Sequence, residues 1–241
     1  VKKLALIILL LSSCSLFAKN LGHRAGGGKG EYFDYLPENS IAALQASLST
    51  IQDRSDFLYL EFDIQETKDG EIVIFHDKYI KRMISYKQNK QELDIIYNEI
   101  GASSFQRRFN NIRIAELTFE QLRRLRLTNH PDQQVPTLDE YLETSKDYGL
   151  LKPMSVEVKY LQTDVAKLKV INKLEEFNNL YMKNADIIFE SEYDLPYLTG
   201  FLAWKSKFKK VFGKDPSWCK RIINAGLYGV FKPGSHKNQC N

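Results

Sequence analysis

Two short runs of β-forming residues carry charge where a buried strand is normally apolar. Residues 57–65 read as a strand and hold Glu61 and Asp63; residues 154–160 read as a strand and hold Glu157 and Lys159. Residues two apart on a strand share a face, so each strand presents a pair of ionisable groups to one side. Inward charge in an α/β protein is costly unless it is paired or holds a metal. Two more predicted strands end in the same way: residues 21–25 carry His23 and Arg24, and residues 71–75 run into His76 and Asp77. Four such strands are not a coincidence of packing. In α/β barrels the downstream strand ends build the active site.

The rest of the pattern fits that architecture. Residues 38–51 place Ile41, Leu44, Leu48 and Ile51 at helical spacing, with Asn39 or Ser40 as cap. Lys68-Asp69-Gly70 is a turn between strands. Thr118 with Gln121, and Thr137 with Glu140, have the spacing of capping boxes that open helices. Residues 162–180 read as a helix and 186–190 as a strand; 208–212 and 227–231 are weaker strand signals. Residues 78–115 are polar and irregular, with a short helix near 90–99, and read as a loop insertion. Strand–helix alternation implies a parallel sheet with helices outside it. The expected fold is a TIM-type (β/α)8 barrel in a single domain over 14–241, incomplete or divergent at its C-terminal end. A chain of 241 residues suits one such barrel.

The residue types name a chemistry. Glu61, Asp63 and Glu157 are hard oxygen ligands suited to Ca²⁺ or Mg²⁺. His23 and His76 can act as acid and base near neutral pH, and Arg24 and Lys159 can hold a phosphate. Plainer readings exist for each: Glu157 and Lys159 as a same-face salt bridge, Arg24 as a carboxylate partner, Asn39 as a helix cap. Gly26-Gly27-Gly28 lacks the lysine and hydroxyl residue of a P-loop and reads as a flexible loop at the barrel mouth. His130 and His236 match no pattern and read as surface residues.

Taken in order, His23-Arg24, Pro37-Glu38-Asn39-Ser40, Glu61-Phe62-Asp63, Thr67-Lys68-Asp69-Gly70, His76-Asp77, Pro136-Thr137-Leu138-Asp139-Glu140 and Val156-Glu157-Val158-Lys159 resemble the glycerophosphodiester phosphodiesterase family, a metal-dependent branch of the barrel phosphodiesterases. The matches span about residues 21–160. The resemblance implies that Glu61, Asp63 and Glu157 are metal ligands, that His23 and His76 are the acid–base pair, and that Arg24 and Lys159 contact phosphate. It implies hydrolysis of a glycerophosphodiester to glycerol 3-phosphate and an alcohol with a divalent cation, Ca²⁺ or Mg²⁺. The chain departs from the family at Ala25, where glycine is usual. It departs again after residue 160, where a tryptophan-containing strand and a closing aspartate-rich strand are not found; Trp204 and Trp218 sit in helix-like or loop contexts. Divergence and truncation both fit that departure. A phospholipid-cleaving barrel phosphodiesterase of the phosphoinositide or sphingomyelin type is one alternative. A non-catalytic envelope lipoprotein on a decayed barrel is another.

The N-terminus points to export. Lys2 and Lys3 precede an apolar run from Leu4 to Leu11, then small residues and Cys14, the layout of a secretory signal. Leu11-Ser12-Ser13-Cys14 resembles a bacterial lipoprotein box, so residues 1–13 are expected to be removed and Cys14 lipidated, giving a membrane anchor; cleavage after Ala18 is the rival. The expected location is the bacterial cell envelope, in the periplasm or on a membrane. Removing residues 1–13 takes away two lysines, so the formal charge falls from +4 to +2. With no basic–aromatic stripe, a nucleic-acid partner is not expected. Cys219 and Cys240 remain as a potential disulfide in an oxidising compartment.

Overall fold

The computed structural model describes residues 20–181, 187–190, 216–225 and 228–229. Its centre is a five-stranded sheet: β1 (Leu60–Glu66), β2 (Ile72–Ile74), β3 (Met154–Tyr160), β4 (Ile187–Glu190) and β5 (Tyr228–Gly229), ordered β2-β1-β3-β4-β5. β1, β3, β4 and β5 are parallel; β2 pairs antiparallel with β1. Helices α5 (Leu138–Asp147), α6 (Asp164–Tyr181) and α7 (Pro216–Asn224) precede β3, β4 and β5, and α1 (Ile41–Thr50) precedes β1. The parallel order never reverses. Right-handed crossovers therefore place the helices on one face, a singly wound layout. On that face Leu60, Phe62 and Ile64 meet Leu44 and Leu48 of α1, Tyr141 of α5, Val170 and Leu174 of α6 and Trp218 and Ile222 of α7 in one core. The described strands do not close into a barrel.

Three sequence expectations change. Residues 21–25 are not a strand. They form a tight turn, His23–Gly26, in which Arg24 and Ala25 take φ of 49° and 56°. Ala25, fully buried, thus adopts the left-handed conformation that favours glycine, at about 1–2 kcal/mol for an L-residue. The turn is held by the hydrogen bond from Ser47 Oγ to the Ala25 carbonyl (2.7 Å) and by Glu61 N–H donating to the Gly22 carbonyl (2.9 Å). Second, the turn Lys68-Asp69-Gly70 reverses the chain into a hairpin, so β2 runs against the parallel strands. Thr67 and Asp69 side chains stitch that turn, with Gly70 at φ 84°. Third, residues 78–115 are not an irregular loop. They contain α2 (Tyr86–Glu99) and α3 (Ser104–Phe109), followed by α4 (Phe119–Arg123). Ile80, Ile84, Leu93, Ile96, Ile112 and Leu117 form a second apolar core against Val73 and Phe75. Most polar residues that suggested a loop lie on the outside of this helical insert, while Asn89 and Asn110 are buried and donate to the Arg126 and Ile84 carbonyls.

Other expectations match closely. Thr118 and Thr137 form capping boxes with Gln121 and Glu140, and β3 spans residues 154–160. After residue 160 the chain keeps its alternation: α7 returns Trp218 to the main core beside α6. The strand signal at 208–212, Trp204, His236, the N-terminal signal with Cys14, and the Cys219–Cys240 pairing lie outside the described residues. Among the described residues no helix is long and apolar enough to cross a membrane.

Candidate active site

β1 and β3 are neighbours in register, with Asp63 opposite Glu157. Alternation along β1 turns Phe62 to the helices and Glu61 and Asp63 to the other face. Carboxylate oxygens of Glu61, Asp63 and Glu157 lie within 4.8 Å of one another, and all three residues are buried, Asp63 completely. The ladder between β1 and β3 slips after Ile64, so that Gln65 pairs with Tyr160 and Lys159 is the extra residue. Such a bulge re-aims a side chain. The Lys159 ammonium donates to Glu157 Oε1 (2.6 Å) and lies 3.3 Å from Asp63 Oδ1. The same-face salt bridge is therefore present, inside the cluster.

Asn39 is not the helix cap. Ser40 is, accepting a hydrogen bond from the Ala43 N–H (3.1 Å). Asn39 instead sits at φ 58° and donates from Nδ2 to Asp63 Oδ2 (2.7 Å). Its own Oδ1, and Asp63 Oδ1, are buried and accept no hydrogen bond from the described residues.

The two histidines flank this cluster, and a carboxylate meets Nδ1 of each. His23 Nδ1 lies 2.9 Å from Glu31 Oε1, and its Nε2 is 3.9 Å from Glu61 Oε2. His76 Nδ1 lies 2.7 Å from Asp77 Oδ1, and its Nε2 is 2.6 Å from Arg24 Nη2. A guanidinium only donates, so His76 Nε2 must be the acceptor. The proton is then on Nδ1, which donates to Asp77. His76 comes to this place because the hairpin folds β2 back along β1: the Phe75 N–H donates to the Asp63 carbonyl (2.9 Å), and Gln65 Nε2 donates to the Phe75 and Asp77 carbonyls (2.7 and 2.8 Å).

A second acidic group stands beside the first. Glu38, His76 and Asp77 also bring ligand-type atoms within 4.8 Å. This group is already neutralised. Glu38 Oε2 accepts from Arg24 Nη1 (3.0 Å), and Arg82 donates to both Glu38 and Asp77. Burial disfavours the charge on Asp77, but hydrogen bonds from His76 and Arg82 outweigh it and hold the carboxyl well below the usual range. Burial likewise opposes the charge on Arg24, yet Glu38 and Asp63 raise its pKa. Arg24 Nε is buried with no hydrogen-bond partner among the described residues. That leaves it a donor for an anion.

The residue pattern from His23 onward matches the sequence profile of the glycerophosphoryl diester phosphodiesterase family over residues 23–201. The chain belongs to this family. It is a phosphodiesterase, a hydrolase of phosphoric diesters. Comparison with curated proteins finds no match. Among solved structures, similar chains include a phosphodiesterase from Oleispira antarctica in complex with the product sn-glycerol-3-phosphate. It is 17% identical, with 81% of this chain and 78% of that one covered, at a TM-score of 0.43. Glycerophosphodiester phosphodiesterases from Thermotoga maritima (19% identical, 82% and 68% covered, TM-score 0.41) and Parabacteroides distasonis (18% identical, 79% and 83% covered, TM-score 0.41) are also similar.

All seven residues singled out in the sequence meet in one site. Sequence reasoning gave no role to Glu31, Glu38 and Arg82, and left the cap to Asn39 or Ser40. Glu38 and Asn39 stood in a quoted motif but carried no role. Glu31 and Arg82 stand in a loop and an insert that no strand pattern reaches.

The donor set fits a divalent cation. Three buried carboxylates bring oxygens within 4.8 Å of one another, and the buried Asp63 Oδ1 accepts no hydrogen bond from the described residues. Oxygen-only ligands of this kind suit a hard divalent cation.

Proposed function

We propose that this protein hydrolyses glycerophosphodiesters to glycerol 3-phosphate and an alcohol, with a divalent cation held by Glu61, Asp63 and Glu157. The observation that carries the reading is the convergence, in a member of this family, of three buried carboxylates with two histidines whose Nδ1 atoms are each held by a carboxylate. When bound, the cation supplies Lewis-acid stabilisation of phosphoryl charge and favours ionisation of a nearby hydroxyl.

The chain's own groups supply the rest. Arg24, through Nε, and Lys159 bind and orient the phosphodiester anion. Fixing Nδ1 on Glu31 and Asp77 sets the ring planes of His23 and His76 and leaves Nε2 of each for proton transfer, that of His76 once Arg24 turns to the phosphate. One Nε2 takes a proton from the substrate's attacking hydroxyl as its oxygen bonds to phosphorus, and the other gives a proton to the alcohol oxygen as its P–O bond breaks. Water then opens the resulting cyclic phosphate to glycerol 3-phosphate, with the two proton transfers reversed. Asn39 fixes Asp63. The unreversed parallel order of β1, β3, β4 and β5 supports an arc of the family's barrel. The N-terminal pattern supports export to the cell envelope and a lipid on Cys14.

The test is release of glycerol 3-phosphate by the purified chain from glycerophosphocholine, glycerophosphoethanolamine and glycerophosphoinositol, with Ca²⁺ or Mg²⁺ and with EDTA. Release with metal and its loss with EDTA are expected. His23→Ala and His76→Ala should each slow the reaction by ~10²-fold or more. No release above the EDTA control with any head group would sink the reading.

A further inference from the structure

We propose that Arg82 is a positioning residue through which the helical insert fixes both His76 and Arg24. The inference rests on the proposed function. Arg82 ends a short turn, Ile80–Arg82, that belongs to the insert: Ile80 is fully buried in the insert's core, and its N–H donates to the Ile112 carbonyl (2.9 Å). The Arg82 side chain leaves that turn and clamps two carboxylates from different parts of the chain. Nε and Nη2 donate to Asp77 Oδ2 (2.5 Å) and Oδ1 (2.9 Å). Nη1 and Nη2 donate to Glu38 Oε2 (2.8 Å) and Oε1 (2.5 Å).

Each carboxylate in turn holds a group of the site. Asp77 meets His76 Nδ1, and Glu38 accepts from Arg24 Nη1. Arg24 then reaches His76 Nε2 and closes the ring. One guanidinium therefore ties Glu38, which precedes α1, to Asp77, which follows β2, and both to the insert. Without it, two carboxylates that approach His76 together would repel each other, and the hold on His76 and Arg24 would loosen. A small displacement of such groups has a large effect on rate. Lysine keeps the charge but cannot form two bidentate forks.

The experiment uses the full chain as wild type, Arg82→Gln, Arg82→Lys and, as a control for the insert's packing, Ile80→Ala. Two readouts are taken. The first is kcat and KM for glycerol 3-phosphate release. Arg82→Gln should lower kcat by ~10-fold or more, Arg82→Lys should fall between it and wild type, and Ile80→Ala should lower the melting temperature while kcat stays near wild type. The second needs no activity: the Nδ1 proton of His76 in protein labelled with ¹⁵N-histidine, identified by its loss in His76→Asn. That signal should stand downfield in wild type and Ile80→Ala, and disappear or move upfield in both Arg82 variants. An unchanged Nδ1 signal in folded Arg82→Gln, or in Arg82→Lys should the glutamine variant not fold, would overturn the proposal. So would a kcat within threefold of wild type. If wild type releases no glycerol 3-phosphate, the proposed function fails and the Nδ1 signal still decides the role of Arg82.

Discussion

The active-site region holds two acidic clusters of similar make-up and opposite character. Asp63 and Glu157 meet the ammonium of Lys159, and Glu61 accepts from the Arg24 backbone N–H. Glu38 and Asp77, beside His76, share two guanidinia, Arg24 and Arg82. Their geometry separates the roles proposed for them. Three buried carboxylates drawn together on adjacent strands offer hard oxygen ligands to one cation. Carboxylates already gripped by arginine forks have no ligand capacity to spare, and act instead by holding what they touch. Counting acidic residues would treat the two clusters alike; following the hydrogen bonds separates the cluster proposed to hold a metal from the one proposed as a clamp.

The largest expected effect is a direct break of this contrast. Asp63→Asn removes a charge from the cluster that needs a cation. Activity should fall by at least ~10²-fold, since even outer partners of a metal site cost 10–100-fold. Wild type should melt at a higher temperature when millimolar Ca²⁺ or Mg²⁺ is added, because a ligand that binds only the folded chain stabilises it by ~2.7 kcal/mol at one hundred times its Kd. Asp63→Asn should lose that rise, and Asp77→Asn should keep it. A metal-induced rise lost equally in Asp77→Asn would mean that the arginine-held cluster also binds the ion.

Asn39 sharpens the comparison at a smaller scale, because it belongs to the metal cluster without being a ligand in the sequence pattern. Asn39→Ala removes a hydrogen bond to an ionised group, worth about 1.5–3 kcal/mol, and forces alanine into a left-handed conformation. Asn39→Gly removes the same bond without that backbone penalty, so it should be the more stable of the two by about 1 kcal/mol. Denaturant unfolding measures the pair. A residue that merely capped α1 would lose only a few tenths of a kcal/mol with glycine, so a near-wild-type Asn39→Gly would return Asn39 to that role.

The sequence was legible where local pattern and tertiary environment agree. Glu61, Asp63, Glu157 and Lys159 could be read because alternation puts them on one face of strands whose other face is plainly apolar. The capping boxes at Thr118 and Thr137 could be read because they are local by nature. Residues 21–25 misled because nothing local in Leu-Gly-His-Arg-Ala marks the left-handed turn at Arg24 and Ala25; the ties from Ser47 and Glu61 that hold it come from 22 and more residues away. The insert misled because Ile80, Leu93, Ile96 and Ile112 are spaced among charged residues and find one another only across α2, α3 and the connecting turns. Arg82 was invisible for the same reason: its partners Glu38 and Asp77 belong to segments that the hairpin and α1 bring together.

The smallest expected effect tests whether the clamp exists in solution. Asp77 is held below its ordinary pKa in the folded chain, despite burial, by His76 and Arg82. A carboxyl depressed on folding adds stability at pH above its unfolded value of about 3.9, and that contribution is lost as pH falls below it. Wild type should therefore lose melting temperature more steeply than Asp77→Asn between pH 5 and pH 3, on top of whatever the other carboxylates contribute to both proteins. Equal slopes below pH 5 would mean that Arg82 does not grip Asp77. The distinction between a clamped cluster and a metal-seeking one would then lose its electrostatic basis.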